Sequence, residues 1–440
     1  MLAPLNSRWE PANHVCDSLL GVYERHKNSH TRDLCPPIPL PEKPAFATTD
    51  VSILIPTINT PDAFTECMQL WLANAPKEII IVTIPRDLQR VRELLAPLGD
   101  SISTPISVFT VPKPGRRAQM SLALKKASGS IVAYVDDDTY WPSNKVLPYL
   151  LAGFNDPAVG GVMGRQSAFV PVHRRKPSIV TASEVATMRA LSSTGDSNAS
   201  MYATERMVWC LTGRTLLARS AALQNESFTH ALTHETWRGR PINTGDDGFV
   251  THWLHNRGWR LVFQSAPEAE VLTLVESAPN FARQLVRWRR SGYRTHVVLM
   301  MEEPGFWRLR REHPGYALKI LRFLVRPLST LVDAAAWIQT VYHWPYFACA
   351  FVVLPGFDSP PGSLTVVISM LLAGYYLYRF ATAALAFHGK NPWVGYRHLW
   401  AVVAVDHVYR IINLYVILTL GVEGWLTRDD SARDDSKEDS

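Results

Sequence analysis

Runs of consecutive apolar residues alternate with runs of helical period between residues 51 and about 275 of this chain. Val51 to Pro56 reads as a buried strand closed by a proline, and Glu78 to Thr83 as a second. Ile106 to Val111 and Ile131 to Val135 read as a third and a fourth. Between them Phe64 to Ala73, Leu88 to Leu95 and Arg117 to Ala127 carry helical spacing. Continuously apolar strands separated by helices predict a mainly parallel α/β sheet covered on both faces. Ligands of such sheets bind at the carboxyl ends of the strands.

The pattern changes after about Pro314. Pro327 to Leu354, Leu364 to Phe387 and His398 to Trp425 are long apolar runs. Each exceeds the roughly 20 residues that cross a bilayer, so about three membrane spans are expected. Asp333, His343 and Pro345 interrupt the first. Asp406, His407 and Arg410 sit in the third and either line a polar path or lie at the interface. Arg308, Arg310, Arg311, Lys319, Arg322 and Arg326 precede the first run, as cytoplasmic flanks do. The expected organisation is an N-terminal arm over 1–50, a catalytic domain over 51–300 and interfacial basic helices over 301–326. Transmembrane helices over 327–426 and an acidic tail over 427–440 complete it. Within the arm, Val15 to Lys27 has the spacing of a short amphipathic helix, and Pro36 to Pro44 reads as an extended connector.

Composition narrows the function classes. Hydrophobic residues make up 47% and charged residues 19%, which excludes a disordered chain. A net charge of +6 is mild. It calls for no nucleic-acid partner and is compatible with a lipid bilayer or a phosphate-bearing substrate. The five cysteines are odd in number and lack a C-x-x-C spacing, so they are read as reduced, on the cytosolic side.

Four segments carry candidate chemistry. Asp136, Asp137 and Asp138 follow the fourth strand. Carboxylates two apart share a side, so Asp136 and Asp138 can share a hard divalent cation such as Mg2+ or Mn2+. A helix-capping acidic turn would use the same residues. In Thr244-Gly245-Asp246-Asp247 an aspartate, preferably Asp247, is a candidate general base, with helix capping as the alternative. Gln284, Arg287 and Trp288 stand at i, i+3 and i+4 and share one helix face. The arginine suits phosphate oxygens and the tryptophan a sugar ring. Arg283, Arg289, Arg290 and Arg294 are expected on lipid headgroups. Lys113 to Arg117 is a glycine-hinged basic loop suited to a nucleotide. His252 and His255 read as structural.

Asp136-x-Asp138, Gly245-Asp246-Asp247 and Gln284-x-x-Arg287-Trp288, in that order ahead of apolar helices, resemble the processive family-2 glycosyltransferases. The Asp136 to Pro142 string and Thr244 to Asp247 look most like fungal hyaluronan-synthase-like and capsular polysaccharide synthases. The resemblance implies a Rossmann-like GT-A fold, a nucleotide-sugar donor of the UDP type, Mg2+ or Mn2+, a glycan acceptor and inversion. It implies Asp247, with Asp246 beside it, as catalytic, and Asp138 with Asp136 at the metal. It places Arg116, Arg117, Asp136 and Arg287 at the donor, and Gln284, Trp288 and Gly213 at the acceptor. The family's aspartate after the second strand, which holds the uracil, is absent from Ile81 to Pro85, so Thr57, Thr83 or backbone groups are expected to stand in for it. The expected protein is membrane-integral in the plasma membrane or an endomembrane, with its catalytic domain in the cytosol. It leaves room for an oligomer or an accessory membrane subunit. Single-sugar transfer to a lipid, and a non-catalytic assembly partner of the same fold, are the alternatives.

Overall fold

The computed structural model describes residues 34–99, 103–275, 281–301, 305–328, 330–331 and 363–422. The proposed arm helix, most of the first apolar run and the acidic tail lie outside them.

Apolar, β-rich runs form the strands β1 (Val51–Pro56), β2 (Glu78–Thr83), β3 (Ile106–Thr110) and β4 (Ile131–Val135). They are followed by β5 (Thr139–Tyr140), β6 (Val159–Gly164), β7 (Gln166–Phe169) and β8 (Thr215–Arg219). The last are β9 (Thr236–Trp237), β10 (Arg240–Pro241), β11 (Arg260–Gln264) and β12 (Val271–Leu274). Among the helices, α1 (Phe64–Leu72), α2 (Leu88–Leu95), α3 (Arg116–Lys126) and α4 (Val146–Leu151) alternate with the first strands. Then come α5 (Ala182–Glu205), α6 (Ser220–Leu223), α7 (Glu226–His234), α8 (Asp246–Asn256), α9 (Phe281–Met301) and α10 (Gly305–Glu312). A helix over 314–328 is α11. The last two are α12 (Ser363–Lys390) and α13 (Leu399–Leu418).

Seven strands form one sheet in the order β11-β6-β8-β4-β1-β2-β3. In β1, β4 and β6 every residue is buried. Successive side chains point to opposite faces, so the sheet is covered on both. The expectation of a mainly parallel sheet needs one correction. β8 runs antiparallel to both β4 and β6, whereas β1–β2, β2–β3, β1–β4 and β6–β11 are parallel. The sheet is therefore mixed. A buried strand has the same apolar run in either direction, which is why the pattern could not show this. The reversal matters for the site. Thr215 pairs with Val135, so the residues just before β8 sit at the carboxyl end of β4.

A second sheet, β5-β12-β7, braces that same end. Trp71 and Trp141 are fully buried there. Trp71 donates to the Thr139 carbonyl, and Trp141 to the Thr215 hydroxyl, each at 3.0 Å. The Pro36–Pro44 connector has no regular helix or strand, and Ile38 exchanges hydrogen bonds of 2.9 Å with the Gln264 side chain.

Of the three expected spans, the second is helical as α12. The third is helical as Tyr396–Leu418, which contains α13 and is the one described helix long and apolar enough to cross a membrane. Val402 and Val416 on α13 are fully buried, while Ile411 and Leu418 are exposed. The headgroup reading fails for Arg290 and Arg294, which are buried. Arg290 donates to the Thr419 hydroxyl, and Arg294 to the Leu420 and Val422 carbonyls. They tie α9 to the end of α13, where cations and donors satisfy the last helical carbonyls.

Gly129, entering β4, tests how tightly the sheet edge is closed. A Cβ there would lie 2.6 Å from the Asp50 carbonyl oxygen and 2.7 Å from the Ser52 nitrogen. Gly129→Ala is expected to destabilise by about 1–3 kcal/mol. A urea-melt midpoint unchanged from the parent would contradict that packing.

Candidate active site

The carboxyl end of β4 delivers Asp136, Asp137 and Asp138. Asp136 and Asp138 line a cavity of about 300 Å3, whereas Asp137 turns inward and accepts from the Thr57 hydroxyl at 2.6 Å. The antiparallel β8 brings Gly213 and Arg214 alongside, with the Asp136 amide on the Arg214 carbonyl at 3.2 Å. Gly245, at φ 72°, turns the chain into α8 and sets Asp246 and Asp247 on the cavity wall. Only a glycine holds that φ without strain, and a Cβ would also lie 3.0 Å from Ser291. Helix α9 supplies Gln284, Arg287 and Trp288. Segments 150 residues apart thus meet around one opening.

Arg116, opening α3, binds this acid cluster together. Its guanidinium lies 2.5 Å from the Asp136 carboxylate and 2.8 Å from that of Asp246, and its side chain is only 11% exposed. It packs against Gly213, where a Cβ would stand 2.7 Å from its nitrogen. Burial is the largest influence and works against the Asp136 anion, but the charge and hydrogen bond of Arg116, with the charges of Arg214 and Arg287, together outweigh it and hold this carboxyl below its ordinary range. Asp247 behaves oppositely. Burial and then the Asp246 charge push it up to about 6, although its own carboxylate accepts from the Gly248 amide at 2.8 Å. The result is a carboxylate with the proton affinity of a working base.

Not every sequence candidate reaches the cavity. Arg117 faces the other side of α3. It donates to the Thr244 and Leu232 carbonyls and pairs with Glu235 at 2.6 Å, with 3% of its side chain exposed. It fixes the Thr244–Asp247 turn from beneath. Thr57 and Thr83 are buried away from the cavity lining. An acid does follow the second strand, four residues on. Asp87 is 7% exposed, and its carboxylate accepts from the Asn59 amide at 2.7 Å. Pro85-Arg86-Asp87 was the signal for it.

Further residues line the cavity, among them Arg214, in the Cys210–Arg214 segment whose resemblance points to the acceptor side. Arg214 places its guanidinium 4.9 Å from the centre of the Trp288 ring. Trp209, His252, His296 and Arg289 also face the cavity, so Arg289 leaves the headgroup role assigned from sequence, while His252 is a buried imidazole.

Among the described residues no three or more His, Cys, Asp or Glu side chains cluster as a metal cage. The donor set is the carboxylate pair Asp136 and Asp138. One or two carboxylates, completed by substrate phosphates and water, suit Mg2+ or Mn2+, so the residues fit such an ion.

A family model described as Glycosyltransferase like family 2 matches residues 48–291. The chain is 36% identical over 434 residues to the NDP-glycosyltransferase ltbB of Aspergillus luteorubrus, covering 99% of each chain. It is 35% identical over 272 residues to a type 2 glycosyltransferase of Zymoseptoria tritici, covering 62% of this chain and 56% of that one. A solved mannosyltransferase of Pyrobaculum calidifontis, in complex with GDP-Man and Mn2+, aligns with a TM-score of 0.49 and 16% identity. That alignment covers 90% of this chain and 97% of that chain.

The Arg117 geometry makes a stability prediction. Arg117→Met leaves Glu235 and two carbonyls without their cation, and should cost about 3–5 kcal/mol. Chemical denaturation of the variant measures it. A loss below about 1 kcal/mol would show that the turn is held by other contacts.

Proposed function

The chain belongs to the glycosyltransferase family 2, and from that membership we propose that it is a membrane-bound inverting enzyme that lengthens a glycan. It is a glycosyltransferase that uses a nucleotide-sugar donor. The observation that carries the finer reading is the meeting of Asp138, Asp247, Arg287 and Trp288 in one cavity.

In this reading the donor lies across the carboxyl ends of the strands. Asp87, four residues past β2 and outside the cavity lining, contacts the uracil of a UDP donor, and Arg287 holds the diphosphate oxygens. Asp136 and Asp138 would hold Mg2+ or Mn2+, which offsets the charge of the departing diphosphate. Trp288, Gln284 and Gly213 seat the acceptor sugar. Asp247 takes the proton of the acceptor hydroxyl. That oxygen bonds to the sugar C1 from one face as the bond from C1 to the phosphate oxygen breaks on the other. The nucleoside diphosphate leaves, and the anomeric centre inverts. Arg116 keeps Asp136 ionised and holds Asp246 in an ion pair, while Asp247, with its raised pKa, takes the proton. The basic flank from Arg308 to Arg326 and the apolar Tyr396–Leu418 helix support a cytosolic catalytic domain on a plasma or internal membrane. The synthase resemblance drawn from the Asp136–Pro142 string supports polysaccharide extension.

One observation favours a second reading, a single sugar placed on a lipid acceptor. At about 300 Å3 the cavity is at the small end for ligand sites. Tyr409 of α13 is part of its wall. Product mass decides between a polymer ladder and one glycolipid.

Asp247→Asn should lower kcat by at least about a hundredfold while nucleotide-sugar binding persists. Calorimetric donor titration beside a nucleotide-release assay measures both, and near-parental turnover would remove Asp247 from the mechanism. The raised Asp247 pKa sets a second expectation. Its base form dominates only above about pH 6. The rate should therefore fall about tenfold per pH unit below that point and level off above it. A profile flat down to pH 4.5 would contradict a general base with that raised pKa.

A further inference from the structure

Arg289 stands apart from the other arginines of the cavity. It is half-buried on α9, and its guanidinium lies between two rings, 4.5 Å from the centre of Tyr409 and 5.2 Å from that of Phe323. Such stacking fixes the plane of a guanidinium and leaves its N–H edge available. Among the described residues its guanidinium makes no hydrogen bond and no ion pair with a carboxylate. Its charged neighbours are Arg326, Tyr409 and Tyr293. Burial lowers its pKa only to about 10, so it remains a cation at neutral pH. A desolvated cation beside a like charge is costly unless an anion completes it.

That anion is not the donor diphosphate. Arg116, Arg214 and Arg287 act on Asp136, and Arg214 also on Asp138 and Asp247, so they gather around the strand-end acids. Arg289 has none of these acids among its electrostatic neighbours. Two positions beyond Arg287, it is turned about 200° around the helix axis. Its stacking partners come from α11 and α13, which do not carry the acid cluster. Phe323 in turn lies 5.4 Å from the His296 ring and 5.9 Å from Trp209. The buried Nδ1 of His296 has no partner. Burial keeps this imidazole neutral by lowering its pKa well below the ordinary value. A neutral polar atom therefore shares this end of the cavity with the stacked Arg289 cation, with Arg326 and Lys319 as neighbouring charges.

We propose that Arg289, clamped between Phe323 and Tyr409, is the subsite for an anionic group on the acceptor, a phosphate or carboxylate carried beside the attacking hydroxyl. The proposal rests on the glycosyl transfer inferred above. Arginine reads such groups through paired N–H donors, and the oxyanion supplies the missing countercharge. The same chemistry occurs on a soluble sugar phosphate and on a phospholipid headgroup.

The test uses the full chain in detergent, with UDP-glucose, UDP-N-acetylglucosamine and GDP-mannose each offered as donor. Two acceptor pairs differ by one anionic group: glucose against glucose 6-phosphate, and diacylglycerol against phosphatidylglycerol. The expected result is at least a tenfold preference in kcat/KM for the anionic member of one pair, and that pair identifies the source. Arg289→Gln should raise KM for that acceptor about tenfold while moving the donor KM less than twofold, and Arg289→Lys should restore most of it. If Arg289→Gln fails to fold, the parental preference and competition by inorganic phosphate against the acceptor decide. Equal use of both members in both pairs, or a shift in donor KM instead, overturns the subsite alone. No nucleotide release in any arm removes the glycosyl-transfer reading, and this one with it.

Discussion

Carboxylates crowded into a half-buried opening repel one another, and this structure depends on the cation that offsets them. Asp136, Asp246 and Asp247 arrive from a strand end and a helix start far apart in sequence. Arg116 lies between two of them, 2.5 and 2.8 Å away. The pairing divides the labour among three chemically identical side chains. Asp136 is held as an anion, Asp246 is committed to the guanidinium, and Asp247 is left with its pKa raised to about 6.

Helices α3 and α9 both use adjacent residues to reach different surroundings. On α3, Arg116 turns to the acids, while Arg117 turns under the Thr244–Asp247 turn and is sealed by Glu235. One helix start therefore sets both the electrostatics of the cluster and the position of the loop that carries it. On α9, Arg287 and Trp288 face the cavity, and Arg290 and Arg294 grip the end of α13. The apolar C-terminal helix is thus mechanically continuous with the helix that bears Gln284, Arg287 and Trp288.

The strands and helices from Val51 to Val135 were legible because each is long enough to bury one repeating face. Their bounds in the structure differ from the pattern by a residue or so. The residue types of the acid and Gln-x-x-Arg-Trp segments, and their order, were equally plain. Alternation at a strand end was enough to separate Asp136 and Asp138 from Asp137. The direction of β8 was not legible, because an apolar run of five residues packs equally well either way. Nor were the separate roles of Arg116 and Arg117, or of Arg289, Arg290 and Arg294. A guanidinium on lipid, on a carbonyl or between two rings has the same one-letter code.

Local pattern therefore set which segments would fold and which side chains could do chemistry, since periodicity and residue type act over a few positions. Charge state and partnership were settled only by the fold. Coulomb and desolvation energies depend on separations across the chain. Those separations exist only once β4, β8, α3, α8 and α9 converge on one cavity.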